Sequence, residues 1–226
     1  MKTIRFCKSL RTPEWLNGNL FTSNFLIAKE KIGTVDRMSK QKPENLVWID
    51  MEMSGLDVDS EFILEIATII TDSNLNIVEE GPNLVIHQTE AVLAAMDDWN
   101  QKHHSASGLI ERVRKSSLTV SEAESQTLDF VRKHCPEKTA PLCGNTIGQD
   151  RKFLYKYMRT LHDYLHYRNI DVSSIKEVIT RWHFDGPELP LKSEQHIAMV
   201  DVRESIAELK FYREHYFISP LTDSSI

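Results

Sequence analysis

Two carboxylates stand two positions apart at the end of an apolar run: Leu46-Val47-Trp48-Ile49 leads into Asp50-Met51-Glu52. A run rich in Val, Ile and Trp reads as a buried strand. Alternate side chains of a strand point the same way, so Asp50 and Glu52 project from one face at its end. Carboxylates held that close repel each other and lose hydration. A hard divalent cation, Mg²⁺ or Mn²⁺, is the simplest compensation. The competing reading is an N-cap aspartate beside a surface glutamate. Two further segments carry candidate chemistry. Gly144-Asn145-Thr146-Ile147-Gly148-Gln149-Asp150 leaves a short strand and enters a helix. Its glycines permit a tight turn and close approach of backbone to a ligand. Asp150 then falls in the first helical turn, where it also complements the helix dipole. The other segment is His196-Ile197-Ala198-Met199-Val200-Asp201. Five positions turn through about 140° on an ideal helix. His196 and Asp201 therefore converge only if His196 lies before the helix or in an irregular first turn. Alone, His196 reads as an exposed loop histidine. Asp201 alone reads as a surface residue, although it abuts the core position Val202.

The elements that must position these groups follow from periodicity. Leu46–Met53 and Phe62–Thr71 are predicted strands, joined to a third by a turn at Asp72-Ser73-Asn74. The third comprises Leu75–Val78 and Leu84–Gln88, with a break expected at Gly81-Pro82. Short turns make these neighbours antiparallel. Thr119-Val120-Ser121-Glu122 is a capping box opening a helix to about His134. Pro141–Gly144 is a short strand, and Gln149 to about Met158 a helix with Phe153, Leu154, Tyr157 and Met158 on one face. Tyr167–Asp171 is the fifth strand. Ser174-Ile175-Lys176-Glu177 is read as the cap of the next helix. A last helix runs from about Ile197 to Tyr216, with Val202, Ile206, Leu209 and Tyr216 as its core stripe. The expected fold is one α/β domain, a mixed five-stranded sheet flanked by helices.

Composition narrows the chemistry. The 226 residues carry a net charge of −6, which argues against gripping long duplex nucleic acid through a broad basic surface. It leaves room for a small phosphate-containing substrate, because bound metal supplies local positive charge. No apolar run approaches the ~20 residues of a membrane span. Cys7, Cys135 and Cys143 show no zinc or CxxC spacing, and an odd, unpatterned count fits a reducing compartment. Residues 1–44 differ from the rest. Lys2, Arg5, Lys8 and Arg11 recur among Ile4, Leu10, Trp15, Leu16, Leu20 and Phe21, with few acids. Such a leader reads as a mitochondrial transit peptide followed by a linker at Ser39–Pro43. A disordered extension without an address is the alternative. Met38 as an internal start would give a second, cytoplasmic form. The domain is expected over residues 45–218 and a loose tail over residues 219–226.

The order Asp-x-Glu, Asp, His-x4-Asp, each at the end of a core element, resembles the DEDD-type 3′-to-5′ exonucleases of the ribonuclease H-like superfamily, in the subclass with a catalytic histidine. The likeness narrows to the oligoribonuclease family, and within it to the eukaryotic mitochondrial form. It is carried by Trp48 through Leu56, Met96-Asp97-Asp98-Trp99-Asn100, Ser105-Ala106-Ser107-Gly108-Leu109, Gly144 through Asp150, Lys156-Tyr157-Met158, His166-Tyr167-Arg168 and Asp171-Val172-Ser173. It spans about Asn45 to Phe217. Two departures stand out: Val200 replaces the first Asp of the family's His-x-Ala-Met-Asp-Asp, and Thr146 stands where Ser is usual.

The resemblance implies a two-metal phosphodiesterase. Asp50, Glu52, Asp150 and Asp201 would hold two Mg²⁺ or Mn²⁺ ions, and His196 would take the proton of the attacking water. It further implies that Leu56 wedges between bases, that Trp99 packs at the 3′ nucleotide and that His104 helps bind substrate. Tyr167 of a second subunit would stack on a base, while Arg168, Thr146 and Ser173 cap the 5′ phosphate. By their own types, Leu56 and Trp99 read equally as core residues and Tyr167 as a buried strand aromatic. The partners that the resemblance implies are single-stranded RNA of about two to five nucleotides, of any base because stacking tolerates any, and a second copy of the chain in a homodimer. A proofreading-type exonuclease on longer single-stranded DNA or RNA is the alternative. A non-catalytic RNA-binding scaffold on the same fold would be expected to lack one of the carboxylates.

Overall fold

The computed structural model describes residues 41–183, 186–187 and 197–217. The leader with Cys7 and Met38, the histidine His196 and the tail from residue 219 lie outside the described residues. Five strands form one mixed sheet in the order β3-β2-β1-β4-β5. They are β1 (Leu46–Met53), β2 (Ile63–Thr71), β3 (Ile77–Val85), β4 (Leu142–Gly144) and β5 (Asn169–Asp171). β1 pairs antiparallel with β2, and β2 with β3, whereas β4 lies parallel to both β1 and β5. The helices are α1 (Glu90–Ala95), α2 (Asp98–Ala106), α3 (Leu109–Lys115), α4 (Val120–His134), α5 (Gly148–Tyr157), α6 (Arg159–Tyr164), α7 (Val172–Trp182) and α8 (Ala198–Tyr216). None of the described helices is long and apolar enough to cross a membrane.

β1 is buried along Val47–Ile49 because helices cover both faces of the sheet. On one face Val47, Ile49 and Met51 share a core with Leu128 and Val131 of α4 and with Phe153 and Leu154 of α5. On the other, Trp48 packs with Val172 and Ile179 of α7 and with Val202, Ile206 and Tyr212 of α8. Each such fully buried side chain contributes roughly 1.5–3 kcal/mol. The stripe of α8 therefore closes on Tyr212, fully buried, rather than on Tyr216, which only flanks the cluster. Cys135 and Cys143 are buried free thiols.

Three further expectations are corrected. β3 runs unbroken through Gly81-Pro82. The register with β2 jumps from Ala67↔Asn83 to Ile69↔Glu80, so the two residues bulge opposite Thr68. β3 is an edge strand, where a missing N–H is tolerated. A Cβ on Gly81 would meet the Phe130 ring at 2.4 Å, so the bulge also makes room for α4. The cap of α7 is Asp171, which accepts from Ser173 N–H at 3.2 Å, because β5 runs straight into the helix without a loop. Finally, α1, α2, α3 and α6 were not expected. Each has at most 9 residues, too few for a helical period to stand out, although Thr89 and Asp97 cap α1 and α2 through their side chains. The capping box at Thr119 and Glu122 is present as read.

Candidate active site

The alternation of β1 decides where its carboxylates go. Asp50 and Glu52 share the face of Trp48, the face that α8 covers. α8 begins at Ala198, and Asp201 sits in its first turn, one position before the buried Val202. The sheet end and the helix start thus bring Asp50, Glu52 and Asp201 together, with one oxygen from each lying within 4.8 Å of the others. Asp50 and Asp201 are half-buried, and the Glu52 side chain is only 12% exposed. Burial pushes the Glu52 carboxyl up to about 8, reinforced by the charges of Asp201, Glu65 and Asp150 and opposed by Arg112. An all-carboxylate donor set crowded to this degree fits a hard divalent cation. Val200 leaves α8 intact: its N–H donates to Ile197 O at 2.8 Å, beside that of Asp201 at 3.0 Å.

Asp150 enters from the parallel side. β4 pairs with β1 only through Val47 and Trp48, then turns away into α5. Asp150, in the first turn of that helix, accepts from Met51 N–H at 3.0 Å. It takes the place of the strand partner that β1 has lost. It is buried, and burial pushes its carboxyl up to about 7 against the backbone hydrogen bonds that stabilise the anion. The turn needs Gly144, since a Cβ there would meet Ile147 Cδ1 at 2.8 Å and Ile49 O at 3.0 Å.

Behind Glu52 lies a layer that the sequence did not announce. Glu65 on β2 is fully buried and paired bidentately with Arg112 of α3. His104, expected at the substrate, belongs to this layer. It is 2% exposed, its Nε2 lies 2.9 Å from Met53 O, and its Nδ1 lies 3.9 Å from Glu52 Oε2. The ring is thus enclosed beside the Glu52 carboxylate and the Met53 carbonyl.

The remaining predicted residues are on the surface. Leu56 is 75% exposed, and its carbonyl accepts from Gln149 Nε2. Trp99 is 55% exposed and stacks on His103 one helical turn later, with ring centroids 3.9 Å apart. Neither is a core residue. Tyr167 is 75% exposed with the Arg168 guanidinium 5.3 Å from its ring, so it is no buried strand aromatic. The strand β5 starts only at Asn169, and Arg151 holds the preceding loop through His166 O, Arg168 O and Asn169 Oδ1. Thr146 and Ser173 touch: Thr146 N–H donates to Ser173 Oγ at 2.9 Å. The Trp99–His103 stack follows from their i, i+4 spacing on α2.

The exonuclease domain family RNase_T matches residues 47–209. An oligoribonuclease from Pseudomonas savastanoi pv. phaseolicola is 54% identical over 181 residues, which are 80% of this chain and 99% of the relative. One from Shewanella amazonensis is 56% identical over 174 residues, 77% of this chain and 96% of the relative. Among solved structures, Escherichia coli exonuclease I in complex with a dT13 oligonucleotide superposes with a TM-score of 0.61 at 15% identity, covering 76% of this chain and 41% of that one. A moderately thermophilic exonuclease I from Methylocaldum szegediense gives 0.58 at 18% identity, with 75% and 40% covered. The chain spans about two-fifths of these structures, and at 15–18% identity the likeness shows a shared fold.

Proposed function

The chain belongs to the oligoribonuclease family, and from that premise we propose that it is a 3′-to-5′ exoribonuclease that hydrolyses very short RNA, dinucleotides above all, to nucleoside 5′-monophosphates. The observation that carries this reading is the convergence of Asp50, Glu52 and Asp201 oxygens within 4.8 Å, with Asp150 fixed against Met51 beside them. These four carboxylates would hold two Mg²⁺ or Mn²⁺ ions. Divalent cations, when bound, supply a nucleophile at neutral pH and stabilise charge on the scissile phosphate. His196 accepts the proton of the attacking water at an imidazole nitrogen, a role for which an ordinary pKa near 6.5 is suited. Leu56 and Trp99, both exposed, are assigned to the substrate bases, which stack for roughly 1–3 kcal/mol each without regard to sequence. Tyr167 is assigned to the active site of a second copy in a homodimer, where it stacks on a base, while Arg168 joins Thr146 and Ser173 in binding the 5′ phosphate. A guanidinium bound to a terminal phosphate rewards a substrate that ends there.

The deciding assay compares a 5′-phosphorylated RNA dinucleotide with a 20-mer of single-stranded RNA or DNA, in Mn²⁺ and after EDTA. Metal-dependent release of monophosphate, faster from the dinucleotide, is expected; faster digestion of the 20-mer would support a proofreading-type enzyme instead. His196→Ala should slow turnover by roughly 10²–10⁴ while Mn²⁺ still binds, whereas Asp201→Asn should weaken Mn²⁺ binding itself. Residues 1–44 are proposed to direct the protein to mitochondria, on their basic, acid-poor, amphipathic composition. A fluorescent protein carrying them should co-localise with that organelle, and diffuse fluorescence would reject the address.

A further inference from the structure

Thr146 holds φ at +51°, the left-handed region that a β-branched residue seldom occupies. Such a conformation persists only where its surroundings over-determine it. Here the surroundings are a continuous polar chain running from the surface into the protein. Thr146 N–H donates to Ser173 Oγ at 2.9 Å, and Ser173 Oγ donates to Asn145 Oδ1 at 3.0 Å. Asn145 Nδ2 donates to Ser205 Oγ at 2.7 Å and to Glu208 Oε2 at 3.1 Å. Glu208 is 2% exposed, accepts from Tyr212 O–H on its other oxygen at 2.5 Å, and has Lys176 Nζ 3.8 Å away. Ser205 Oγ in turn donates to Asp201 O at 2.8 Å, one helical turn back on α8.

The direction of every proton in this chain follows from one group. A carboxylate only accepts, so Glu208, met by Tyr212 on one oxygen, must be met by the amide nitrogen of Asn145 on the other. The amide is thereby oriented, and its oxygen faces Ser173. Ser173 has a single proton, and it is spent on that oxygen. Its own oxygen is left to accept, from Thr146 N–H and from the Thr146 hydroxyl 3.2 Å away. Thr146 Oγ1–H is the donor in that last, longest contact, and so the proton most readily turned toward an anion.

We propose that Asn145 is a positioning residue for the 5′-phosphate subsite: anchored on buried Glu208, it makes Ser173 an acceptor, holds Thr146 in its left-handed turn, and leaves Thr146 Oγ1–H to meet the terminal phosphate. Through Ser205 the same amide ties this subsite to the first turns of α8, the helix that carries Asp201. The inference rests on the reading of Thr146, Ser173 and Arg168 as a phosphate cap and adds what orders that cap. Asn145 itself touches neither phosphate nor metal in this scheme.

The test measures KM and kcat in Mn²⁺ for an RNA dinucleotide with a 5′ phosphate and for the same dinucleotide with a 5′ hydroxyl. Melting temperature is recorded for every variant. The wild-type chain should prefer the phosphorylated form, and Arg168→Ala should lose that preference. Asn145→Ala and Asn145→Asp should each cut the preference about tenfold, the scale of one hydrogen bond to a charged group, and through KM for the phosphorylated substrate. Asn145→Asp combined with Glu208→Gln should restore the preference to within about threefold: the new carboxylate still accepts from Ser173, and the new amide supplies the N–H from the opposite side. Wild-type preference in Asn145→Ala, or a folded double variant without recovery, overturns the proposal. If both single variants fail to fold, the double variant decides alone by the same threefold limit. Should the wild-type chain show no preference at all, or Arg168→Ala keep it, the phosphate-cap reading is what has failed.

Discussion

Glu52 stands directly across from Glu65 on the neighbouring strand. Two like charges in a cross-strand pair destabilise a sheet, and here the second is fully buried. The fold answers with Arg112, which reaches from α3 to both Glu65 oxygens. Arg112→Ala leaves a buried charge without its partner, a change that costs about 3 kcal/mol even at the lower end for such pairs. Melting should fall by on the order of 10 °C for a chain of this size. Arg112→Met with Glu65→Leu should recover most of that loss, because a packed apolar pair replaces the ions. If Arg112→Ala melts like the wild type, the pair is not what permits Glu65 in the core.

The carboxyls of the site set a pH dependence whose sign is opposite to that of ordinary surface acids. Burial raises Glu52 to about 8 and Asp150 to about 7. Between the usual carboxylate range and these values, the metal-free folded protein keeps protons that the unfolded chain has lost. Folding is then linked to proton uptake, so stability falls as pH rises from about 4.5 to about 8. A cation needs the deprotonated carboxylates and reverses the trend. Metal-free protein should therefore melt progressively lower across this window, and the stabilisation gained on adding Mn²⁺ should grow with pH. A melting temperature in EDTA that rises steadily from pH 5 to pH 8 would contradict the burial of these two acids.

If Tyr167 serves the active site of a partner, two disabled variants should rescue each other. Tyr167→Ala retains its own carboxylates but offers nothing to its neighbour. Asp50→Asn loses a metal ligand but still presents Tyr167. After mixing and exchange of subunits, half of the dimers are hybrids with one complete site of two, so about a quarter of the wild-type rate on dinucleotide should return. Tyr167 is 75% exposed, so its truncation should leave melting unchanged within about 0.5 kcal/mol. Recovery no greater than the sum of the separate rates would place Tyr167 outside a shared site.

The clustered carboxylates were legible because their positions follow from local periodicity. A strand alternates, so Asp50 and Glu52 had to share a face, and Asp201 had to follow the stripe that begins at Val202. The supporting layer was not legible, for its partners meet only in the folded chain. Arg112 and Glu65 are 47 positions apart and Asn145 and Glu208 are 63, and nothing in either neighbourhood names the other. Gly81-Pro82 was misread for a related reason. Those residues break an interior strand but are accommodated by an edge strand with a bulge, and position within a sheet is a tertiary property. His104 illustrates the same gap, since its polar type did not reveal that it is 2% exposed.

Thr146 offers a separation of stability from recognition. A β-branched residue in the left-handed region carries strain of about 1–3 kcal/mol. Glycine relieves it at a cost of roughly 0.5–1 kcal/mol in chain entropy. Thr146→Gly should therefore melt at or a few degrees above the wild type, while losing the hydroxyl proton and with it part of the preference for a 5′ phosphate. Thr146→Ala keeps the strain and loses the contact to Ser173, so it should melt lowest of the three. The expected order of melting is glycine, threonine, alanine, whereas the order of phosphate preference places threonine first. If glycine instead melts lowest, the side chain of Thr146 holds the turn, and the strain at this position is too small to matter.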